Sequence, residues 1–288
     1  MSSDDRSQAK HTVACVQMRS GLDRKRNVDD AIALIRQAAS EGAQFIATPE
    51  MTNIVDRKAA RLLADLPEEA QLEEIDQFAA CAKELNIWLL IGSMAVCSPK
   101  SDGVKNRAFN RGYLFSPTTD TDRNIAARYD KIHMFDVSLP KGETWKESSV
   151  YVPGEKSVVA QTDYAKLGLT ICYDVRFPHL YRKLAQEGAE LLCIPAAFTK
   201  QTGKAHWETL LRARAIECGS FVIAPAQGGV HEDGRETWGH SMIIDPWGNI
   251  VAHAGHDNPG IIIADLDLSL VASTRQRIPN LSAGRAVS

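Results

Sequence analysis

The sequence lacks the residue patterns that bind metal ions or build disulfide frameworks. Its six cysteines are scattered with no CxxC pair, and no HxxxH or HExxH pair of histidines occurs. Zinc sites and small disulfide scaffolds need such spacings, so both classes are disfavoured and no metal or cofactor is predicted. Unpaired cysteines are typical of a reducing compartment, which predicts a cytoplasmic protein.

Long apolar runs and an excess of positive charge are also missing. No apolar stretch approaches the ~20 residues that span a bilayer, and the net charge is −3. We therefore predict neither a membrane nor a nucleic acid as a partner. Residues 1–10 (MSSDDRSQAK) are polar and predict a disordered tail rather than a signal peptide. The rest of the chain, 11–288, contains no linker-like segment and predicts a single domain.

Apolar strands alternate with amphipathic helices along the chain. The segment 27–40 has the period of a helix, and 87–96 is a continuous apolar strand. Antiparallel hairpins are predicted at 106–131 and 157–171, whereas the glycines at 228–234 lack the strand-turn-helix setting of a dinucleotide-binding fold. Two blocks of strands, each with helices on one side, predict an α/β fold, a four-layer α-β-β-α sandwich.

Three reactive side chains each follow a predicted strand. Glu50 follows QFIAT, Lys131 follows IAARYD and Cys172 follows LGLTI. Ligand sites gather beyond the carboxyl ends of strands in α/β sheets, so we expect the three side chains to converge. A helix predicted from Arg176 to Gln186 puts Cys172 near a helix N-terminus, where we expect the thiol pKa to fall. Glu50, partly buried after Pro49, is expected to have a raised pKa and to shuttle protons.

Other assignments fit each residue taken alone. A free cysteine at a strand end is commonly a packed hydrophobe, and an isolated lysine or glutamate is commonly solvated. A Cys/His hydrolase would instead use a histidine near a strand end, with His133, His206 and His240 as candidates. The convergence of thiol, carboxylate and ammonium is what favours a hydrolase in which Lys131 stabilises an oxyanion.

The segments around the three residues resemble the catalytic blocks of a known family. TPE with Glu50, RYDKIHMFD with Lys131 and LTICYDVRFP with Cys172 are similar to the blocks of the nitrilase superfamily of carbon–nitrogen hydrolases, in the family's order. The resemblance covers about residues 12–281. It implies the four-layer sandwich and a Glu-Lys-Cys triad that works without a cofactor.

The resemblance also implies roles for residues near the triad. The family has a second glutamate in the loop after the lysine, a position that Glu147 matches better than Glu143. In the implied mechanism the thiol forms a thioester, Glu50 moves the proton and Glu147 orients the lysine or the substrate. The Lys131 ammonium and the backbone N–H of Tyr173 hold the oxyanion.

Two further segments resemble the Nit branch of the superfamily, TGKAHWETLLRARAIE at 202–217 and WGHSMIIDPWGNIVA at 238–252. The branch contains amidases acting on deaminated glutathione and ω-amidases acting on α-ketoglutaramate, and family members are commonly homodimers. PAAFTKQTG and LLRARAIE are closer to the first group, so hydrolysis of deaminated glutathione to α-ketoglutarate and Cys-Gly is the leading hypothesis. The alternatives are an ω-amidase, an N-carbamoyl hydrolase, another amidase or nitrilase, and a non-catalytic scaffold.

Both candidate substrates are anions, so we expect cationic and polar residues near the nucleophile to bind them. Arg176, just past Cys172, can hold a carboxylate through two parallel hydrogen bonds. Phe198 and Thr199 follow a predicted strand and are expected to line the pocket. Structural alternatives stay open, because Arg176 can pair with an acid and Phe198 can belong to the core.

Overall fold

The computed structural model describes residues 10–98, 107–118, 122–139 and 144–285. Apart from Lys10, the predicted tail lies outside the described residues. The helices are α1 Arg24–Ser40, α2 Ala59–Ala64, α3 Glu73–Leu85, α4 Pro178–Gln186, α5 Lys200–Cys218 and α6 Ser269–Arg277. No helix in the described ranges is long and apolar enough to cross a membrane.

Sixteen strands are found in the described residues. They are β1 His11–Gln17, β2 Phe45–Ala47, β3 Trp88–Cys97, β4 Ala108–Phe115, β5 Ile125–Asp130, β6 Asp136–Ser138, β7 Thr144–Lys146, β8 Val158–Gln161, β9 Lys166–Leu169, β10 Leu191–Cys193, β11 Phe221–Ala224, β12 Gly228–Val230, β13 Glu236–Trp238, β14 Met242–Ile244, β15 Ile250–His253 and β16 Gly260–Leu266.

Twelve of these strands form two six-stranded sheets with the same internal plan. The first has the order β16-β1-β2-β3-β4-β5, and the second has the order β15-β14-β11-β10-β9-β8. In each sheet three central strands are parallel and the outer strands are antiparallel. The segments that follow the parallel strands therefore all leave their sheet at the carboxyl ends of these strands, where ligand sites form.

The alternation of side chains along β1 defines the layers. Val13 and Cys15 point into a core shared with second-sheet residues such as Leu169. Ala14 and Val16 point the other way, into a core formed with α1 and α3. The second sheet is covered on its outer side by α4 and α5, which confirms the predicted four-layer α-β-β-α sandwich.

The structure differs from the sequence-based expectation beside Cys172. The predicted helix at Arg176–Gln186 begins only at Pro178, and Cys172–Arg176 forms a short 3₁₀ segment. Proline fits the first turn of a helix but disfavours helical geometry in the residue before it, so α4 does not extend back to the cysteine. The segments 136–149 and 228–234, for which the sequence predicts no strand, contribute to the small hairpins β6-β7 and β12-β13.

Candidate active site

Glu50 lies beyond β2, at the bend where the chain leaves the first sheet. The bend packs on Gly92, where a Cβ would come within 2.2 Å of the Thr48 carbonyl oxygen and 2.3 Å of the Pro195 Cβ. Glycine permits this close approach, so the segments that follow β2 in the first sheet and β10 in the second sheet lie against each other. Buried Glu50 reaches across the gap, and its Oε2 accepts a 2.9 Å hydrogen bond from the N–H of Ala197.

Lys131 follows β5 and bridges two carboxylates. Its backbone N–H donates to the Asn110 carbonyl at 3.0 Å, and its carbonyl accepts from the N–H of Gly154 at 2.8 Å. The ammonium lies 2.9 Å from Glu50 Oε1 and 2.8 and 2.9 Å from the two oxygens of Glu147. Because the side chain is only 2% exposed, water screens these charges little.

The two carboxylates are held by further donors. Asn110 Nδ2 lies 2.9 Å from Glu50 Oε1 and 3.2 Å from Glu147 Oε1, and the Phe135 N–H donates to Glu147 Oε2 at 2.6 Å. Sequence reasoning missed Asn110, whose only signal is one amide within the strand AFNRGYLF. Glu147 is the glutamate that meets Lys131, whereas Glu143 lies outside the described residues.

Cys172 is held in an uncommon backbone conformation. Its φ is +51°, in the left-handed region that residues other than glycine seldom adopt. Its N–H donates to the Pro195 carbonyl at 2.8 Å. The Asp174 carboxylate supports the turn by accepting hydrogen bonds from the Ile171 N–H at 2.9 Å and the Tyr129 hydroxyl at 2.7 Å. These contacts fix the position of the thiol beyond the carboxyl end of β9 in the second sheet.

The pKa shifts reverse two expectations. Burial raises the pKa of the Cys172 thiol well above its ordinary value, and the Glu50 charge raises it further. Burial also favours a raised pKa for Glu50, but the Lys131 ammonium and hydrogen bonds outweigh it and the pKa is lowered. Burial lowers the pKa of Lys131, but Glu147 and Glu50 outweigh it and the pKa is raised well above its ordinary value. At neutral pH a protonated thiol therefore faces an ionised carboxylate and an ammonium.

These side chains open onto a cavity of about 320 Å³. Glu50, Lys131, Cys172 and Glu147 line it together, and so do the predicted substrate-binding residues Tyr173, Phe198 and Thr199. Arg176 is not among the lining residues. Its guanidinium lies 5.8 Å from the ring centre of Tyr173 and 5.4 Å from that of Phe198, behind two lining rings.

The histidines proposed for a Cys/His hydrolase lie elsewhere. His133 Nδ1 lies 2.7 Å from Asp174 Oδ1, and its ring stacks on Phe177 with centres 3.5 Å apart. His206 lies 3.3 Å from the guanidinium of Arg176. No histidine lines the cavity in the described part of the chain. There is also no group of three or more His, Cys, Asp or Glu side chains, in the residues described, that is placed to hold a metal ion.

The cavity contains residues that sequence reasoning missed. Trp145 from β7, Arg235 from the turn before β13 and Arg57 from the segment before α2 all line it. The guanidinium groups of Arg57 and Arg235 lie 4.8 and 4.6 Å from the centre of the Trp145 ring. Their signal in the sequence is weak, because Trp145 and Arg235 lie in short hairpins with no clear period and Arg57 lies outside any helix or strand.

A family comparison covers nearly the whole chain, since the model of the carbon–nitrogen hydrolases matches residues 12–276. The chain belongs to the carbon–nitrogen hydrolase family. It is 39% identical over 273 residues to a deaminated glutathione amidase of Synechocystis, covering 94% of this chain and 97% of that protein. It is 35% identical over 267 residues to human omega-amidase NIT2, covering 93% of this chain and 92% of that protein.

The fold of this carbon–nitrogen hydrolase also matches a solved structure. The NitFhit protein of C. elegans superimposes with a TM-score of 0.86 at 34% identity, covering 97% of this chain. The match covers 66% of that longer chain. The predicted family, the predicted fold and the prediction of a hydrolase acting on amides are confirmed.

Proposed function

We propose that this carbon–nitrogen hydrolase cleaves the amide bond of deaminated glutathione and releases α-ketoglutarate and Cys-Gly. The observation that carries the proposal is one buried ammonium, Lys131, bound to two carboxylates beside the buried Cys172 thiol. The Cys172 thiol and the Glu50 carboxylate line the same cavity, and the Glu50 charge acts on the thiol, so nucleophile and base lie side by side before substrate arrives. The names of the relatives support the substrate.

The first half-reaction transfers the acyl group to the enzyme. The Cys172 sulfur adds to the amide carbonyl carbon while Glu50 takes the thiol proton. The Lys131 ammonium and the backbone N–H of Tyr173 stabilise the negative charge that develops on the carbonyl oxygen. Glu50 then gives its proton to the amide nitrogen, and the C–N bond breaks. Cys-Gly is released, and the acyl group remains bound to Cys172 as a thioester.

The second half-reaction releases the acid. Water adds to the thioester carbonyl while Glu50 takes a proton from it, and the same oxyanion donors act again. The C–S bond breaks, and the Cys172 sulfur regains its proton from Glu50. One water is consumed and the enzyme returns to its starting state. Glu147 keeps Lys131 charged throughout, because its charge raises the lysine pKa.

An ω-amidase acting on α-ketoglutaramate is the second candidate. The observation that favours it is the 35% identity to human omega-amidase NIT2 over nearly the whole chain. This substrate has the same acyl half as deaminated glutathione but releases ammonia. The proposed chemistry of Glu50, Lys131 and Cys172 is therefore the same for both, and the two functions differ in leaving-group recognition.

We further propose one catalytic domain over 11–288, a homodimer and a cytoplasmic location. Ile216 of α5 lies against the turn at Gly248, and it and the adjacent Trp247 are about half exposed. Exposed apolar patches commonly mark protein contacts, which supports a dimer. All six cysteines are unpaired, which supports a reducing compartment. Analytical ultracentrifugation tests the dimer, and cell fractionation tests the location.

The decisive experiment measures α-ketoglutarate release from deaminated glutathione and from α-ketoglutaramate. We expect the wild type to prefer deaminated glutathione and Cys172→Ala to lose about 10³-fold or more in kcat, since the nucleophile is gone. Cys97→Ala is the matched control, because Cys97 is unpaired but does not line the cavity. The reverse preference would assign an ω-amidase, and full activity in Cys172→Ala would refute the mechanism.

A further inference from the structure

Two hydrogen-bond donors in the cavity wall have no acceptor. Arg235 Nε and Trp145 Nε1 are buried, and neither finds a partner among the described residues. Both residues line the cavity, and the Arg235 guanidinium lies 4.6 Å from the centre of the Trp145 ring. Buried polar groups are normally paired, because an unpaired one costs free energy. An acceptor supplied by a ligand would satisfy both donors.

The surroundings of Arg235 fix its position without neutralising its charge. Its backbone N–H donates to Asp233 Oδ1 at 2.8 Å, and its carbonyl accepts from the N–H of His231 at 2.8 Å. His231 is anchored in turn through Thr237, 2.7 Å away. In the described ranges the guanidinium makes no ion pair, whereas Arg61 pairs with Asp56, which lines the same cavity. A rigid, uncompensated guanidinium is suited to bind a carboxylate.

One arginine lies behind the cavity wall and another lines it. Arg176 lies behind the rings of Tyr173 and Phe198, on the wall that carries the nucleophile. Arg235 and Trp145 line the cavity beside the segment 51–57, which follows Glu50 in the chain. In the proposed mechanism Glu50 gives its proton to the leaving nitrogen, so the leaving group lies on the Glu50 side. Arg57, at the end of the segment that follows Glu50, and Arg235 both lie against the Trp145 ring.

We propose that Arg235, together with the indole N–H of Trp145, binds the terminal carboxylate of the dipeptide leaving group. This assignment rests on the proposed function, and it makes Arg235 a specificity-determining residue. Deaminated glutathione has one carboxylate on the acyl half and one at the end of Cys-Gly. α-Ketoglutaramate has only the first, so it cannot use this contact. Arg235 therefore favours the larger substrate over the smaller one.

The test compares kcat/KM for three substrates in the wild type, Arg235→Gln and Trp145→Phe. The substrates are deaminated glutathione, its analogue with the terminal carboxylate capped as an amide, and α-ketoglutaramate. We expect Arg235→Gln to lower the preference for deaminated glutathione over α-ketoglutaramate by about 10- to 100-fold, because a charged hydrogen-bonded pair is lost. Most of the change is expected in KM. Trp145→Phe keeps the ring, removes one donor and is expected to shift the same ratio by about fivefold.

The capped analogue separates recognition from damage to the fold. We expect the cap to lower kcat/KM in the wild type and to have little effect in Arg235→Gln, because both changes remove the same contact. Arg36→Gln is the control, since Arg36 pairs with Glu84 on the surface. Equal losses on deaminated glutathione and α-ketoglutaramate, or an unchanged preference, would overturn this assignment alone. A wild type that hydrolyses neither substrate would overturn the proposed function and this assignment with it.

Discussion

Two ion clusters lie on neighbouring positions of the same pair of strands, β4 and β5. In the inner cluster Lys131 contacts Glu50 and Glu147 and faces the cavity. In the outer cluster Arg111, which follows Asn110, binds Asp130 and Glu69 on the other face. Successive side chains of a strand point to opposite faces, so adjacent residues serve different clusters.

Charge balance distinguishes the two clusters. The outer one pairs two carboxylates, Glu69 and Asp130, with two guanidinium groups, Arg111 and Arg128. The inner one pairs two carboxylates with a single ammonium, and it also contacts a thiol. Burial and the Glu50 charge keep the Cys172 proton on sulfur, whereas the Lys131 ammonium outweighs burial and keeps Glu50 ionised and able to accept that proton. Similar residue types thus form a closed structural network on one face and a reactive site on the other.

The largest expected effect comes from removing the inner base. We expect Glu50→Gln to lower kcat by about 10²–10⁴-fold, because the proton of the thiol has no acceptor. The same substitution removes the charge that raises the Cys172 pKa, so the thiol should be alkylated faster by iodoacetamide at pH 8. Turnover and thiol reactivity are therefore expected to change in opposite directions.

Glu69→Gln is the matched variant in the outer cluster. Glu69 does not line the cavity, so both turnover and alkylation rate should stay near the wild-type values. A similar loss of kcat in both variants would mean that Glu50 acts on the fold rather than on the reaction. Slower alkylation in Glu50→Gln would contradict the assigned direction of the thiol pKa.

The next largest effect is expected from removing the central cation of each cluster, Lys131 in the inner one and Arg111 in the outer one. Lys131→Met removes an oxyanion donor and should lower kcat by about 10²–10³-fold. It also leaves two buried carboxylates facing each other, which should lower the free energy of unfolding by about 3–5 kcal/mol. Arg111→Met, whose side chain is 19% exposed, should cost about 1–3 kcal/mol and leave kcat near the wild-type value. Urea unfolding and steady-state kinetics measure both quantities, and equal kcat losses would remove the distinction between the clusters.

The positions that the sequence could predict depend on one strand each. Glu50, Lys131 and Cys172 lie one to three residues beyond the ends of strands, and the order of strands brings these ends to one cavity. Glu147 followed from family resemblance rather than from periodicity. The catalytic roles of these residues stay proposals, whereas the fold was predictable because two blocks of apolar strands alternate with amphipathic helices, and strands such as β1 are buried on both faces.

What the sequence could not predict depends on several distant segments at once. Trp145 comes from the three-residue strand β7 and Arg235 from the turn before the three-residue strand β13, and such short segments have no period. The pKa of Cys172 is raised by burial and by Glu50. The expected lowering by a helix N-terminus required a helix that begins next to Cys172, whereas α4 begins only at Pro178. A prediction from local pattern therefore placed Cys172 at the cavity but gave the wrong direction for its pKa.

The smallest expected effect is on the pH dependence of stability, and both clusters contribute to it. The pKa values of Glu50 and Glu69 are lowered from their ordinary 4.5 by the cations beside them, although burial opposes the shift. A lowered pKa gives stability that is present above the unfolded value and is lost as the pH falls through the folded value. Each substitution to Gln should flatten the fall in unfolding free energy below pH 4.5 by up to about 1.4 kcal/mol per pH unit. Urea unfolding between pH 3 and 6 measures this slope. A steeper fall in either variant would reverse the sign of the shift, and flattening by Glu69→Gln alone would mean that the pKa of the inner carboxylate is not lowered.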